Sequence, residues 1–256
     1  MHPRLAAVTE FVVALLFWLA LTRLTVFWML VVWILFRLAL SAMVIRLCYY
    51  PPAWKRVRHF LVLALFNFGL LFYLLFVEQI LSTRLSGLIF IFLPALSFWL
   101  LPATPDRSLL AFKPERRVRL ALTIFGLCGI WVGIYSSIIL QIFNVHFWLW
   151  LFLGSCLSAW SAYFWWQEYE IENVTKMRVW ALAVLAMMLE LAWVIYLLPL
   201  GYFISGFLVT WFWYGLWIMA RFYFTPAGIN WKKQSVFLIV NGVLLFLFLM
   251  FVARWR

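Results

Sequence analysis

The chain has 256 residues, 68% of them hydrophobic, and its 18 tryptophans and 27 phenylalanines accompany a mean hydropathy of +1.06. A water-soluble domain cannot hide that much apolar surface, whereas a bilayer solvates it, so the expected class is an all-α polytopic integral membrane protein. The formal net charge of +12 arises from 20 Lys plus Arg against 8 Asp plus Glu, but the basic residues recur between apolar runs and form no tail. Their pattern is topological, and no nucleic-acid partner is expected.

Apolar periodicity predicts nine transmembrane helices, over residues 5–22, 26–46, 60–81, 86–104, 120–142, 146–166, 179–199, 202–221 and 235–253. Each is close to the roughly 20 residues that cross a bilayer, and short turns join many of them into hairpins. The run behind Arg4 lacks a small-residue cleavage site and is expected to be a retained first helix. No low-complexity linker interrupts the chain, so residues 1–256 are expected to form a single transmembrane helical domain. The odd cysteine count and the absence of a CxxC spacing argue against a disulfide framework.

Charges inside apolar helices are rare and expensive, so they are the first candidates for a specialised interior. Counting at about 1.5 Å per residue, Arg37 of the second helix and Glu190 of the seventh lie roughly 14 and 17 Å from their inner boundaries. They are expected to share a polar region, with Glu10 of the first helix, about 8 Å deep, approaching the same zone. Asn67 and Asn241 add hydrogen-bonding groups to the third and ninth helices and are expected to bond a neighbouring helix. Toward the opposite surface, Arg23, Glu78, Gln79, Arg84, Gln141 and His146 form candidates for an outer vestibule or a headgroup contact.

Small residues mark a packing face. Gly126, Gly129 and Gly133 on the fifth helix, and Gly154 and Ser158 on the sixth, permit close backbone approach and predict a tight hairpin between these helices. Trp54, Trp165, Trp166, Tyr169, Tyr223 and Trp231 fall near helix ends, where aromatic side chains anchor a protein at the interface.

The chemical motifs are few. His2, His59 and His146 are dispersed, and the sequence contains no HExxH, nucleophile elbow or phosphate-binding glycine loop. No catalytic residue, metal site or cofactor is therefore assigned. The expected function is a noncatalytic assembly or scaffold subunit of a larger membrane complex, with a transporter or channel using a midplane polar site as the alternative. The expected partners are membrane lipids and other integral-membrane subunits. Lys55, Arg56 and Arg58, with Lys113, Arg116, Arg117 and Arg119, are candidates for anionic headgroups.

The expected residence is a bacterial cytoplasmic membrane, with the basic connections and the N-terminus inside and the C-terminus outside. Single cysteines placed near Lys55, Arg117, Lys176 and Lys232 should be labelled by an impermeant thiol reagent only from the inner face. Outside labelling at two of these four positions would overturn the orientation.

Overall fold

The computed structural model describes residues 2–21, 27–48, 53–76, 80–101, 113–142, 145–169, 174–224 and 231–251. Among them the protein is all-helical, with α1 (Pro3–Leu21), α2 (Phe27–Cys48), α3 (Ala53–Phe76), α4 (Ile80–Trp99), α5 (Lys113–Ile139), α6 (Phe147–Glu168), α7 (Val174–Leu197), α8 (Tyr202–Tyr223) and α9 (Trp231–Phe251). Eight of these are long and apolar enough to cross a membrane, and the fold is that of a polytopic helical membrane protein. In α4 the apolar stretch is shorter, Thr83–Trp99.

The starts of α3, α5, α7 and α9 correct the sequence reading. Each begins four to seven residues earlier than the apolar periodicity predicts, so Lys55–Arg58, Lys113–Arg119, Lys176–Arg178 and Lys232–Lys233 occupy helical turns and not connecting loops. Lys and Arg have good helix propensity, and a long basic stem can lie along a helix while its charge stays at an interface, so these residues extend a helix beyond its apolar run. Hydropathy marks where the hydrocarbon starts, which is not where the helix starts.

Two compact units divide the chain, Met1–Gly129 and Ile130–Arg256, with the boundary inside α5. In the first unit α1 packs most extensively on α4, and the pairs α1–α2, α2–α3 and α3–α4 complete a four-helix ring. The first part of α5 lies on α3. There Gly69 of α3 faces Gly126 and Gly129 of α5 so closely that a Cβ on Gly126 would sit 2.8 Å from the Leu65 carbonyl oxygen. A side chain on Gly69 or Gly129 would overlap the opposing backbone outright. Gly126 and Gly129 therefore serve an α3–α5 crossing, not the predicted α5–α6 hairpin.

In the second unit the remainder of α5 is a core element. Trp131 faces α6, packing over Gly154 and donating from Nε1 to Ser158 Oγ at 3.0 Å. Val132 lies against Gly206 of α8, and the Tyr135 hydroxyl donates to the Ala192 carbonyl of α7 at 2.7 Å. Gly154 and Ser158 thus meet Trp131 of α5, and Gly133 is buried. The indole of Trp213 donates to the Ser158 carbonyl at 2.8 Å and that of Trp166 to the Trp217 carbonyl at 3.3 Å. Trp165 and Trp166 are fully buried, so these two are core residues instead of interfacial anchors, whereas Tyr223 and Trp231 are exposed. Ring contacts Phe207–Phe248 and Tyr214–Phe237 seat α9 on α8.

The α3–α5 crossing depends on the absence of side chains, which makes it testable. Gly69→Val should lower stability by about 2–3 kcal/mol through overpacking. By contrast Gly215→Ala, where nothing lies within 4 Å of the added carbon, should be neutral or slightly stabilising. Unfolding in mixed micelles titrated with dodecyl sulfate checks both, and equal tolerance at the two glycines would contradict the close crossing.

Candidate functional site

Arg37 is a fully buried charge of the first unit. It extends from α2 with its side chain wholly buried, and its Nη2 donates to Glu10 Oε1 of α1, which is 1% exposed. The antiparallel hairpin explains the meeting. Glu10 lies about 10 Å from the start of α1 and Arg37 about 16 Å from the end of α2, a mismatch that the arginine stem spans. Around the pair, the guanidinium carbon sits 5.7 Å from the Phe17 ring and 5.5 Å from the Phe90 ring. Trp33 stacks on Phe90 at 5.8 Å and donates from Nε1 to the Phe17 carbonyl at 3.1 Å. One ion pair in an aromatic cage therefore ties α1, α2 and α4 together.

Glu10, which the sequence placed at the margin of the polar zone, is the partner of Arg37. Glu190 is instead an exposed residue of α7 in the second unit. It lies about 10 Å from the end of α7, still within apolar depth. The expected Arg37–Glu190 pairing gives way to a pair between sequential helices and a separate carboxylate on an outward face. Neither Arg37 nor Glu10 is accessible to water, and Arg37 Nε, Arg37 Nη1 and Glu10 Oε2 have no hydrogen-bond partner among the described residues. A buried pair with so many unmet groups is costly to form and far costlier to break.

A second polar cluster sits near the starts of α3 and α5, and the sequence reading missed it. Glu115 and Arg119, one turn apart on α5, are ion-paired and nearly inaccessible, with Arg119 Nη2 donating to Glu115 Oε2 at 3.1 Å. Thr123 donates to the Arg119 carbonyl at 3.1 Å. His59 of α3 is wholly buried, stacks on Phe98 at 4.8 Å, and places Nε2 3.1 Å from Ser97 Oγ. Ser97 already donates to the Pro94 carbonyl at 2.6 Å, so its oxygen accepts from the histidine. Arg119 is thereby a core residue and not a headgroup ligand. Lys113 and Arg117 are exposed, and Lys55, Arg56, Arg58 and Arg116 are half-buried around the same end of the unit. The i,i+4 spacing of Glu115 and Arg119 was a legible signal. The burial of His59 had none.

Asn67 and Asn241 also depart from expectation. Each donates back to its own helix, Asn67 to the Leu63 carbonyl at 2.7 Å and Asn241 to the Phe237 carbonyl at 2.8 Å, so neither Nδ2 bridges to a neighbour. Four-residue back-bonding satisfies the amide nitrogen without any second helix, while Asn67 Oδ1 is buried without a hydrogen-bond partner among the described residues. Of the outer candidates, Gln141 and His146 line one pocket of the second unit together with Ser137, Phe147 and Tyr196, and Arg84 is an exposed residue of the first. Arg23, Glu78 and Gln79 lie outside the described residues. Among the described residues no group of three or more His, Cys, Asp or Glu is placed to hold a metal ion.

Comparison of the chain with protein families, with characterised proteins and with solved structures found no match. What distinguishes the chain is its arrangement of charge within apolar helices. That arrangement is a sealed, structural charge pair in the first unit and an exposed apolar-depth carboxylate in the second.

Removing only one member of the Arg37–Glu10 pair strands the other in hydrocarbon. Glu10→Leu or Arg37→Met alone should cost about 3–5 kcal/mol, and the double variant Glu10→Leu/Arg37→Met far less than their sum. The dodecyl sulfate unfolding midpoint of the four proteins measures this. Additive losses would show that the two side chains do not act as a unit.

Proposed function

We propose that this chain is a noncatalytic integral-membrane subunit that assembles with other membrane proteins through the face of α7 bearing Glu190. The observation that carries the reading is the exposure of that carboxylate in the middle of an apolar stripe. Along the same face Val179, Met187, Trp193, Val194 and Leu197 are exposed, as is Ala186 one turn before Glu190. A lone charge facing lipid at a helix centre is unfavourable by roughly 2.5–3.5 kcal/mol on insertion scales. A partner helix presenting a donor would remove most of that cost, and Ala183 and Ala186 leave room for its backbone.

The transporter reading draws less support. It places the working charges at the midplane, yet Arg37 and Glu10 are sealed from water and occupied with one another. Among the described residues no comparable compensation is present at Glu190. The asymmetry favours a role in assembly over conduction.

Affinity purification of the intact chain from native membranes in mild detergent, with a photo-crosslinking residue at Ala186, provides the test. The reading predicts a specific crosslinked partner, and Glu190→Gln should reduce its recovery by about tenfold, the loss of one charge-assisted hydrogen bond. A crosslinker at Leu35, exposed on α2, serves as the control and should give no such product. Recovery of a stable monomer without a specific partner would refute the proposal.

A further inference from the structure

Along the seam where α1 and α4 run antiparallel, a half-open groove of about 300 Å³ opens on the surface of the first unit. Its lining steps down both helices in one register, each level a turn below the last. At the mouth Arg4 of α1 meets Trp99 of α4, with the guanidinium carbon 5.7 Å from the ring centroid. One turn deeper, Ala7 and Ala95 are buried and form the floor, while Val8 and Leu96 stand exposed as the sides. A further turn down, Phe11 and Phe92 meet edge to face at 5.3 Å and end the groove. From Trp99 to Phe92 it runs about 10 Å along α4.

Shape and chemistry select one class of occupant. A volume of about 300 Å³ spread over that length is too slender for a helix, which with its side chains is about 10 Å across, and it suits an extended hydrocarbon chain. Between the mouth and the Phe11–Phe92 pair every lining side chain is apolar, so the interior favours hydrocarbon. The mouth is the opposite. Arg4 is exposed, lies over Trp99, and has no acidic partner among the described residues. His2 Nδ1 accepts from the Arg4 N–H at 3.3 Å, so neutral His2 carries its hydrogen on Nε2 and adds a second donor at this end of the groove's helix. A cation at one end of a hydrocarbon-sized groove matches a molecule in which an acyl chain and a negative headgroup are joined.

We infer that the α1–α4 groove holds one acyl chain of an anionic phospholipid, with the phosphodiester seated on Arg4. A guanidinium over an aromatic ring keeps N–H groups available to phosphate oxygens, and the contact with Trp99 places that charge at the groove's mouth. A zwitterionic headgroup carries its own cation and gains less from Arg4, so the site discriminates by net charge. The inference is independent of the α7 assembly face, because the groove residues all belong to α1 and α4 of the first unit.

The full chain in mild detergent can be given phosphatidylglycerol or phosphatidylcholine bearing the same diazirine-labelled acyl chain, irradiated, and digested so that mass spectrometry maps the labelled residues. Phosphatidylglycerol should label Val8, Phe92 or Leu96 about fivefold more than phosphatidylcholine, the worth of one arginine at an anionic surface. Arg4→Gln should abolish that preference, and Arg4→Lys, which keeps the charge, should retain most of it. Arg178→Gln removes an exposed cation from α7 and should leave the labelling unchanged. Val8→Trp fills the groove from an exposed side, so it should preserve the thermal unfolding midpoint while lowering labelling of Leu96 by both lipids severalfold. Equal labelling by the two lipids, a groove left unlabelled, a preference that survives in a folded Arg4→Gln protein, or undiminished labelling in a folded Val8→Trp protein would overturn the inference.

Discussion

Placing a charge in hydrocarbon is so unfavourable that each such residue must be neutralised, paired or brought to an interface, and this constraint orders the structure. At Arg37 the solution is internal. Glu10 supplies the countercharge and Phe17 and Phe90 supply ring faces, so a residue that would destabilise α2 alone becomes the tie between three helices. At Arg119 the same solution is contained within one helix, because Glu115 lies a turn earlier. At Glu190 no such compensation is present among the described residues, and the proposed assembly role of the α7 face rests on that difference.

The same constraint competes with helix electrostatics. Basic residues are disfavoured near a helix N-terminus, where the macrodipole is positive, yet α3, α5, α7 and α9 all carry them in their early turns. The dipole term is a few tenths of a kcal/mol to about 1 kcal/mol when exposed to water and salt. Keeping Lys and Arg in the headgroup region is worth several times more per residue. Membrane placement wins, and only α5 softens the conflict, with Glu115 in its first turn.

The helices were legible because a run of apolar residues about 20 long has few other uses. Their N-terminal boundaries were not, since Lys and Arg continue a helix as readily as they interrupt hydropathy. Depth along a helix identified Arg37, Glu10 and Glu190 as candidates, but pairing also depends on which helices are neighbours and which way each face turns. The short turn between α1 and α2 contained the needed hint, because sequential helices are usually adjacent in space. Small-residue stripes were similarly readable as close-packing faces without naming the opposing helix: Gly126 and Gly129 meet Gly69, whereas Gly154 meets Trp131. The convergence of Gln141 and His146 on one pocket followed from the turn geometry at the end of α5, where a positive φ at a glutamine leaves no trace in composition.

The central claim is that the outward face of α7 around Glu190 is covered by protein in the native membrane. Val194 on that face and Val240 on α9 are each 51% exposed in the isolated chain, which makes them a matched pair. Nitroxide labels at these two positions, in a background without Cys48, Cys128 and Cys156, report their contact with lipid-dissolved oxygen. The account predicts that in native membranes oxygen reaches the label at Val194 several times less often than the label at Val240, and that the difference disappears in the purified chain. Equal oxygen contact at both positions in native membranes would contradict it.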